Sequence, residues 1–250
     1  MRVAIVGKGG VGKTTIAGTL ARLLARRGRR VLALDLDPNP GLGWSLGLTP
    51  TEESVPAGVA EHTDGLPRPF AWKLAPGTTA AAELQRYAEP APDGVTYLCP
   101  GKILGASFLE EHSLFAVREI VRGVSSSGWD IITDIDAATA VSCGRFLEFA
   151  EKCYVVTTPQ PASAITARRL QDLLIAWPLT MLASMAQGEP DHTGLEPAVR
   201  IPYDESVKDA DRRGVPLVDA FPQSPVVAAV DELAAQLLAA DQAAERAPAG

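Results

Sequence analysis

Short apolar runs alternate with amphipathic stretches along the first part of the chain. Residues 3–6 and 31–34 are apolar runs of strand length, and residues 13–27 between them carry their leucines on one helical face. Gly28 follows at the position where helices commonly end in a glycine. A strand, a helix and a second strand in this order predict a right-handed βαβ unit, and therefore a parallel sheet.

The same alternation continues towards the end of the chain. The further predicted strands lie at residues 95–98, 131–134, 154–158, 179–183 and 199–201, and the further predicted helices at 108–122, 139–150, 163–175 and 226–240. Ser163 and Ser224 are predicted to cap the last two helices, and Pro225 suits a first helical position. This alternation predicts an α/β fold with a doubly wound, mostly parallel sheet flanked by helices.

One domain is predicted for residues 1–246, since 250 residues is an ordinary length for a single α/β unit. Residues from about 49 to 93 are rich in proline, glycine and threonine and show little periodicity. They are predicted to form a loop-rich insertion with short helices outside the sheet. Residues 247–250 are predicted to be a frayed tail.

Composition and charge disfavour several classes of protein. Hydrophobic residues make up 46% of the chain and charged residues 21%, and no apolar run approaches the ~20 residues of a transmembrane helix. The chain passes from Met1 almost directly into a strand, which argues against a signal peptide and favours a cytoplasmic location. The net charge of −7 disfavours nucleic acid as a partner, and the arginines within residues 22–30 are interpreted as the solvated end of a helix.

A glycine-rich loop follows the first predicted strand. Gly7 and the run Gly12-Lys13-Thr14 fit the pattern G-x-x-x-x-G-K-[ST], with a strand before the loop and a helix after it. Its glycines let backbone amides surround phosphate oxygens, Lys13 is predicted to bridge the β and γ phosphates, and the Thr14 hydroxyl to bind Mg²⁺. The predicted nucleotide-binding residues of this loop are Gly7, Lys8, Gly9, Gly10, Val11, Gly12, Lys13, Thr14 and Thr15.

Acidic residues close two of the predicted strands. Asp35 and Asp37 are two positions apart on an extended chain, so both carboxylates can face the phosphates. Asp35 is predicted to support Asp37 or to join the metal shell. Asp134 ends the apolar run 131–134 in a Walker B pattern and is predicted to reach Mg²⁺ through water, beside Thr14. A dinucleotide fingerprint would also fit the glycine spacing, but the lysine and threonine that follow directly disfavour it.

The loop as a whole, Lys8-Gly9-Gly10-Val11-Gly12-Lys13-Thr14-Thr15, resembles the deviant Walker A motif of the MinD/ParA/nitrogenase-iron-protein class. The resemblance implies ATP and Mg²⁺ as cofactors and an ATP-bound homodimer in which Lys8 reaches the partner's ATP. The string Asp35-Leu36-Asp37-Pro38 is similar to the second-strand motif of that class, which implies that Asp37 positions the attacking water. Lys8, Lys13 and Asp37 are therefore the predicted catalytic residues.

Two further stretches are compared with this class. Ile201-Pro202-Tyr203-Asp204 resembles the loop that lies against adenine, which implies adenine contacts for Pro202 and Tyr203. The asparagine that usually reads adenine has no equivalent near residues 182–184. Ala138 stands where many members of the class have a glycine in their second switch, which implies a stiffer loop.

Three branches of the class leave different marks on a sequence. A MinD-type protein needs a basic amphipathic helix at its C-terminus, but the last predicted helix is acidic, so no membrane partner is expected. A ParA-type protein needs a basic surface, which the net charge disfavours. CooC-type nickel-insertion factors share similar strings, including Gly101-Lys102-Ile103, yet their C-x-C motif is missing. One histidine and two glutamates within residues 105–112 could hold a metal, but the polar surface of a helix explains them better.

The leading hypothesis is an ATP-hydrolysing dimerisation switch that acts on an unidentified protein client. The alternatives are a CooC-like metallocentre maturation factor, a ParA-like positioning ATPase, and a synthetase or amidotransferase-like enzyme that phosphorylates a small molecule on the same fold. A scaffold that binds nucleotide without cleaving it is a further alternative, which Ala138 and the missing asparagine motivate.

Overall fold

The computed structural model describes residues 1–37, 39–49, 55–63, 72–101, 108–137, 150–173, 179–186 and 197–246. The strands are β1 (Arg2–Gly7), β2 (Val31–Asp35), β3 (Ala60–His62), β4 (Trp72–Leu74), β5 (Glu89–Pro90), β6 (Thr96–Leu98), β7 (Asp130–Asp136), β8 (Lys152–Thr157), β9 (Leu179–Ala186) and β10 (Val199–Pro202). The α-helices are α1 (Lys13–Arg26), α2 (Leu42–Leu46), α3 (Ala80–Tyr87), α4 (Phe108–Val124), α5 (Pro161–Leu173), α6 (Glu205–Arg213), α7 (Leu217–Ala220) and α8 (Pro225–Arg246).

Eight strands form one sheet in the order β10-β9-β8-β1-β7-β2-β6-β5. Neighbouring strands are parallel except at β5, a two-residue strand antiparallel to β6. The chain leaves β1 for β2, and β7 later enters the space between them. Successive strands are therefore added in opposite directions on the two sides of β1. Ligands of open α/β sheets bind at the carboxyl ends of the strands where the direction reverses, the switch point of the sheet. The predicted doubly wound, mostly parallel fold is confirmed.

Apolar residues pack on both faces of this sheet. In β1, Val3 and Ile5 belong to the core beneath α1 and α8, while Ala4 and Val6 belong to the core beneath α4 and α5. Successive side chains of a strand point to opposite faces, so a strand buried on both faces reads as a continuous apolar run. The apolar run of residues 3–6 has this origin.

Most predicted elements begin and end within two residues of the observed ones, although β9 and α8 end three and six residues later than predicted. Three further predictions differ from what the described residues show. Ser224 caps α8 as predicted, since its Oγ accepts the Val226 amide at 3.1 Å. Ser163 does not cap α5, which begins at Pro161; its Oγ instead accepts the Thr158 amide at 3.0 Å. The arginine-rich end of α1 and the insertion account for the other two differences. The predicted helix at 139–150 lies outside the described residues.

The insertion contains more regular structure than its sequence indicates. The strands β3 and β4 form an antiparallel hairpin, and Thr79 caps α3 by accepting the Ala82 amide at 3.2 Å. The prediction that the whole insertion lies outside the sheet is wrong for β5, which pairs with β6 at the sheet edge. A two-residue strand is too short for periodicity to reveal. The division of the chain into one domain and a tail stays a prediction.

The arginines at the end of α1 form ion pairs. Arg26, Arg27 and Arg30 are exposed, as the interpretation of a solvated terminus requires, and Arg22 at the start of the run departs from it. Arg22 is buried, and its guanidinium donates to Asp93 at 2.6 Å, to the Leu46 carbonyl at 3.0 Å and to Asp219 at 3.0 Å. Arg26 donates to the same two aspartates, at 2.7 Å each. These contacts join the far end of α1 to α2, to the turn before β6 and to α7.

Helix α2 lies against α1 without room for an extra methyl group. A Cβ built on Gly18 would approach the Ser45 Cβ to 2.5 Å and the Ser45 backbone to 3.1 Å. Since backbone takes part in this contact, a side-chain rotation cannot relieve it. Gly18 therefore fixes the position of α2, which follows the acidic connection after β2.

We expect Gly18→Ala to destabilise the protein by about 1–3 kcal/mol, because the added methyl separates α2 from α1. Urea denaturation of the purified variants measures this free energy. Gly58→Ala is the matched control, since a Cβ at Gly58 meets no atom within 4 Å and its φ is not positive. Equal urea midpoints for the two variants would contradict the tight α1–α2 contact.

Candidate nucleotide-binding site

The phosphate loop joins the end of β1 to the start of α1. Gly10 and Gly12 have φ of +80° and +91°, in the left-handed region that favours glycine. A Cβ on Gly7 would approach the Val156 carbonyl oxygen to 2.7 Å, so the loop lies directly on β8. The N-cap of α1 is Gly12, which has no side chain to cap the first turn, and this leaves the first amides of the helix available to an anion.

The two lysines of the loop have opposite environments. Lys13 is 4% exposed, and its Nζ lies 3.8 Å from an Asp37 carboxylate oxygen and 3.9 Å from one of Asp136. Lys8 is exposed and forms no ion pair with any residue that the structure describes. The structure therefore places Lys13 inside the site and Lys8 on its surface.

Thr14 and Asp134 are brought together as the sequence predicts. The Thr14 hydroxyl donates to Asp134 Oδ2 at 2.6 Å. The other carboxylate oxygen of Asp134 is buried and has no hydrogen-bond partner among the described residues. Burial, followed by the charge of Asp35, raises the pKa of Asp134 to about 7. A hydroxyl and an unpartnered carboxylate oxygen are the ligands that Mg²⁺ prefers, so these residues fit the ion.

Asp35 uses its carboxylate to hold backbone. The sheet register places it beside Asp134, and its side chain is fully buried. Oδ1 accepts the Asp37 amide at 3.2 Å, and Oδ2 accepts the amides of Gly41 and Leu42 at 3.0 and 2.9 Å. Burial is the main reason that the pKa of Asp35 is raised to about 6. The carboxylate thus fixes both ends of the β2–α2 connection, and direct metal binding by Asp35 stays a prediction.

Tyr97 is a part of this arrangement that the sequence did not indicate. Its hydroxyl donates to Asp35 Oδ2 at 3.3 Å from the neighbouring strand β6. Ala33 pairs with Tyr97 in the ladder, and this register brings the tyrosine ring under the end of β2. Tyr97 can be assigned to the site only when β6 is known to lie beside β2. The periodicity of apolar residues along the sequence does not show which strands are neighbours.

Asp37 and Asp136 flank Lys13 at the mouth of the loop. Asp37 is only partly buried, and its Oδ1 accepts the Asn39 amide at 2.9 Å. Asp136 ends β7, directly across the ladder from Gly7. Both carboxylates therefore lie near the expected position of the terminal phosphate, where either could hold a water molecule.

A cavity of about 820 Å³ opens from the loop. Its walls include Gly10 and Gly12 to Thr15, α1 as far as Thr19, the α2 residues Trp44 and Ser45, Met185 near the end of β9, and much of the segment 207–217. Met185 has φ of +56°, so the strand bends sharply where it meets the cavity. Sequence analysis identified the loop but missed Trp44 and Met185.

Pro202 and Tyr203 lie beside the cavity wall and are not among its lining residues. Pro202 ends β10, and the Tyr203 hydroxyl bonds to Glu205 and accepts the Lys208 ammonium at 2.6 Å. These contacts hold the tyrosine on the surface of α6. Adenine contacts by Pro202 and Tyr203 stay a prediction.

Several features predicted from the sequence fall beyond the described residues. Ala138, Lys102 and Ile103 are among them, as are the side chains of Glu110, Glu111 and His112. Within the described residues, no group of three or more histidine, cysteine or acidic side chains is placed to hold a metal ion. Nor does any helix in that part of the chain combine the length and apolar character needed to cross a membrane.

A parallel sheet with a glycine loop, a buried lysine and a threonine–aspartate pair at its switch point defines a P-loop nucleotide-binding protein. Residues 3–217 match the sequence model of the CobQ/CobB/MinD/ParA nucleotide binding domain, and the chain belongs to this family. It is therefore a MinD/ParA-family ATP-binding domain, as the resemblance of the loop implied.

Two relatives match nearly the whole chain. An uncharacterized ATP-binding protein of Methanocaldococcus jannaschii is 28% identical over 248 residues, which cover 87% of this chain and 91% of that protein. The carbon monoxide dehydrogenase accessory protein CooC of Rhodospirillum rubrum is 26% identical over 250 residues, which cover 89% of this chain and 91% of that protein.

Solved structures share the fold. A ParA family ATPase from Chlorobium tepidum superimposes with a TM-score of 0.72 at 20% identity, over 94% of this chain and 98% of that one. The septum site-determining protein MinD of Pyrococcus horikoshii, in complex with Mg-ADP, superimposes with a TM-score of 0.68 at 20% identity, over 94% and 95% of the two chains.

Proposed function

We propose that the protein is an ATP-hydrolysing switch that forms a homodimer when it binds ATP and Mg²⁺, and that the dimer acts on a protein client. The observation that carries the proposal is the contrast between the two lysines of one loop. Lys13 is buried beside two carboxylates, whereas Lys8 projects into solvent next to the exposed Gly9 and Gly10. A lysine that lies outside its own site is placed to reach a nucleotide bound by a second copy of the chain.

The residues of the site support hydrolysis of the terminal phosphate. The loop amides and Lys13 bind the phosphates, and Thr14 and Asp134 would hold Mg²⁺, which neutralises phosphate charge when bound. Asp37 orients a water molecule, with Asp136 as a second candidate. The water oxygen bonds to the γ-phosphorus as the bond to the β–γ bridging oxygen breaks, a proton of the water passes to an oxygen of the departing phosphate, and ADP and phosphate leave. The partner's Lys8 stabilises the negative charge that develops on the transferred group.

The experiment compares Asp37→Ala with the double variant Asp37→Ala, Lys8→Ala. Without Asp37 the protein retains ATP, so we expect a dimer by size-exclusion chromatography with light scattering in ATP and a monomer in ADP. The added Lys8→Ala change should abolish the dimer and leave ADP affinity within about twofold, because it removes one exposed charge outside the site. A double variant that still dimerises in ATP would show that Lys8 does not act across the dimer.

The same samples test hydrolysis. Phosphate release by the native protein should rise more steeply than linearly with protein concentration, because only the dimer has complete sites. Release should vanish in Asp37→Ala. If the native protein bound ATP but released no phosphate at any protein concentration, with or without a partner, the non-hydrolysing scaffold would be favoured.

A CooC-like role in metallocentre maturation is the second candidate. The similarity to the carbon monoxide dehydrogenase accessory protein over nearly the full length of both chains favours it. Asp37→Ala protein held in the ATP state is the bait for capturing the client. Recovery of a nickel enzyme or its assembly proteins would support a role in metallocentre maturation. Recovery of a positioning factor would instead support the ParA-like alternative.

A further inference from the structure

Helix α2 holds a tryptophan half in solvent. The five-residue helix buries Leu42 and Leu46 completely, whereas Trp44 between them is 48% exposed. Trp44 and Ile165 are the two large apolar side chains that are exposed in the described part of the chain. The Gly18 contact fixes α2 on α1, so the backbone that carries the indole is held by the scaffold. An aromatic ring on the wall of a surface cavity is typical of a ligand contact.

Trp44 lies on the wall of the nucleotide cavity, away from the phosphate loop. The cavity runs from the loop along α1 to Thr19, about 6 Å beyond Thr15 at the rise of an α-helix. Across the cavity, Gly214 ends α6 with φ of +61°, and a Cβ built there would lie 3.8 Å from Trp44 Cζ3. The indole therefore reaches from α2 towards the end of α6.

A bound nucleotide must enter this space. Its phosphates are held at the N-terminus of α1, so its ribose and base extend along the cavity. The wall near the end of β9 and on α6 adds two apolar groups, Met185 and Val207, and α6 also contributes the charged residues Lys208, Asp211, Arg212 and Arg213. The flat indole and the two apolar side chains suit the faces of a heteroaromatic ring.

We propose that Trp44 stacks on the base of the bound nucleotide and contributes to nucleotide affinity through that contact. The inference rests on ATP binding, which family membership establishes, and is independent of hydrolysis and dimerisation. It makes Trp44 a binding residue for the nucleobase, distinct from the loop residues that hold the phosphates.

The test compares ligands with and without a base. The dissociation constants of ATP, ADP and inorganic tripolyphosphate are measured by calorimetry, each with Mg²⁺, at protein concentrations where ADP leaves the protein monomeric. Trp44→Ala should weaken the binding of ATP and ADP about tenfold, which corresponds to about 1.4 kcal/mol, and leave the binding of tripolyphosphate unchanged, since the lost contact is the stacking of an aromatic ring on the base. Trp44→Phe should restore most of the affinity. Ile165→Ala, which removes the other exposed apolar side chain, should change none of the three constants.

Two results would overturn the proposal. An equal loss of tripolyphosphate affinity in Trp44→Ala would mean that the indole supports the loop and does not contact the base. Unchanged ADP affinity, with loss of the ATP-dependent dimer, would mean that it contacts the second copy of the chain. A protein that neither dimerises nor hydrolyses ATP would contradict the proposed switch and still leave the ADP and tripolyphosphate comparison valid.

Discussion

Lys13→Met is expected to bind ATP and ADP about 100-fold more weakly than the native protein. A hydrogen bond from a charged group contributes about 1.5–3 kcal/mol, and the upper end applies here because the ammonium is buried and the phosphates carry several charges. Methionine nearly preserves the length of the side chain, so the loss is electrostatic. Calorimetric titration with Mg·ADP measures the dissociation constant without hydrolysis.

Lys8→Met is the matched control for this experiment. It removes the same charge from the same loop at an exposed position, and its Mg·ADP affinity should stay within about twofold of the native value. Thermal melts of the unliganded proteins show whether each variant is folded. If Lys13→Met lost less than about threefold in affinity while folded, Lys13 would not be a phosphate ligand.

Asp134→Asn is expected to lose the dependence of ATP affinity on Mg²⁺ and to lower hydrolysis by about 100-fold or more, as removal of one electrostatic stabiliser does in other enzymes. The unliganded variant should also melt about 2–4 °C higher than the native protein. Asp134 is buried beside Asp35, and one of its oxygens has no hydrogen-bond partner among the described residues. A neutral amide of the same shape therefore removes the free-energy cost of burying a charged carboxylate. Nucleotide titrations with Mg²⁺ or with EDTA, together with melts without nucleotide, measure the effects.

Asp136→Asn is the control for the change in stability. Its carboxylate is partly exposed at the end of the same strand, so its neutralisation should shift the melting temperature of the unliganded protein far less. An Asp134→Asn protein whose melting temperature is unchanged or lower would show that the buried carboxylate is already satisfied. Preserved Mg²⁺ dependence would exclude Asp134 from the metal site.

The parts of the site that could be predicted are those that lie within one turn or one strand. The spacing of Gly7, Gly12 and Lys13 encodes the loop, and the acid that ends an apolar strand locates Asp134 at the sheet edge. Parallel register completes the prediction, because it places Ile5 beside Asp134 and Asp134 beside Asp35. Once a parallel sheet is predicted, the ends of β1, β2 and β7 must lie together.

The rest depended on contacts between distant segments. Tyr97 reaches Asp35 only because β6 lies beside β2, and Trp44 reaches the cavity only because α2 packs on Gly18. The ion pairs of Arg22 join positions up to 197 residues apart, so a run of arginines reads as a solvated terminus when the sequence is taken alone.

The contacts of Asp35 have a consequence for movement. A single carboxylate accepts the Asp37 amide at the start of the β2–α2 connection and the amides of Gly41 and Leu42 at its end. The connection is thus a short closed loop around one buried anion, and α2 beyond it is immobilised on α1. Both ends of the connection are therefore tied to the same buried side chain. A terminal phosphate that displaced Asp37 would disturb the carboxylate that also holds the start of α2.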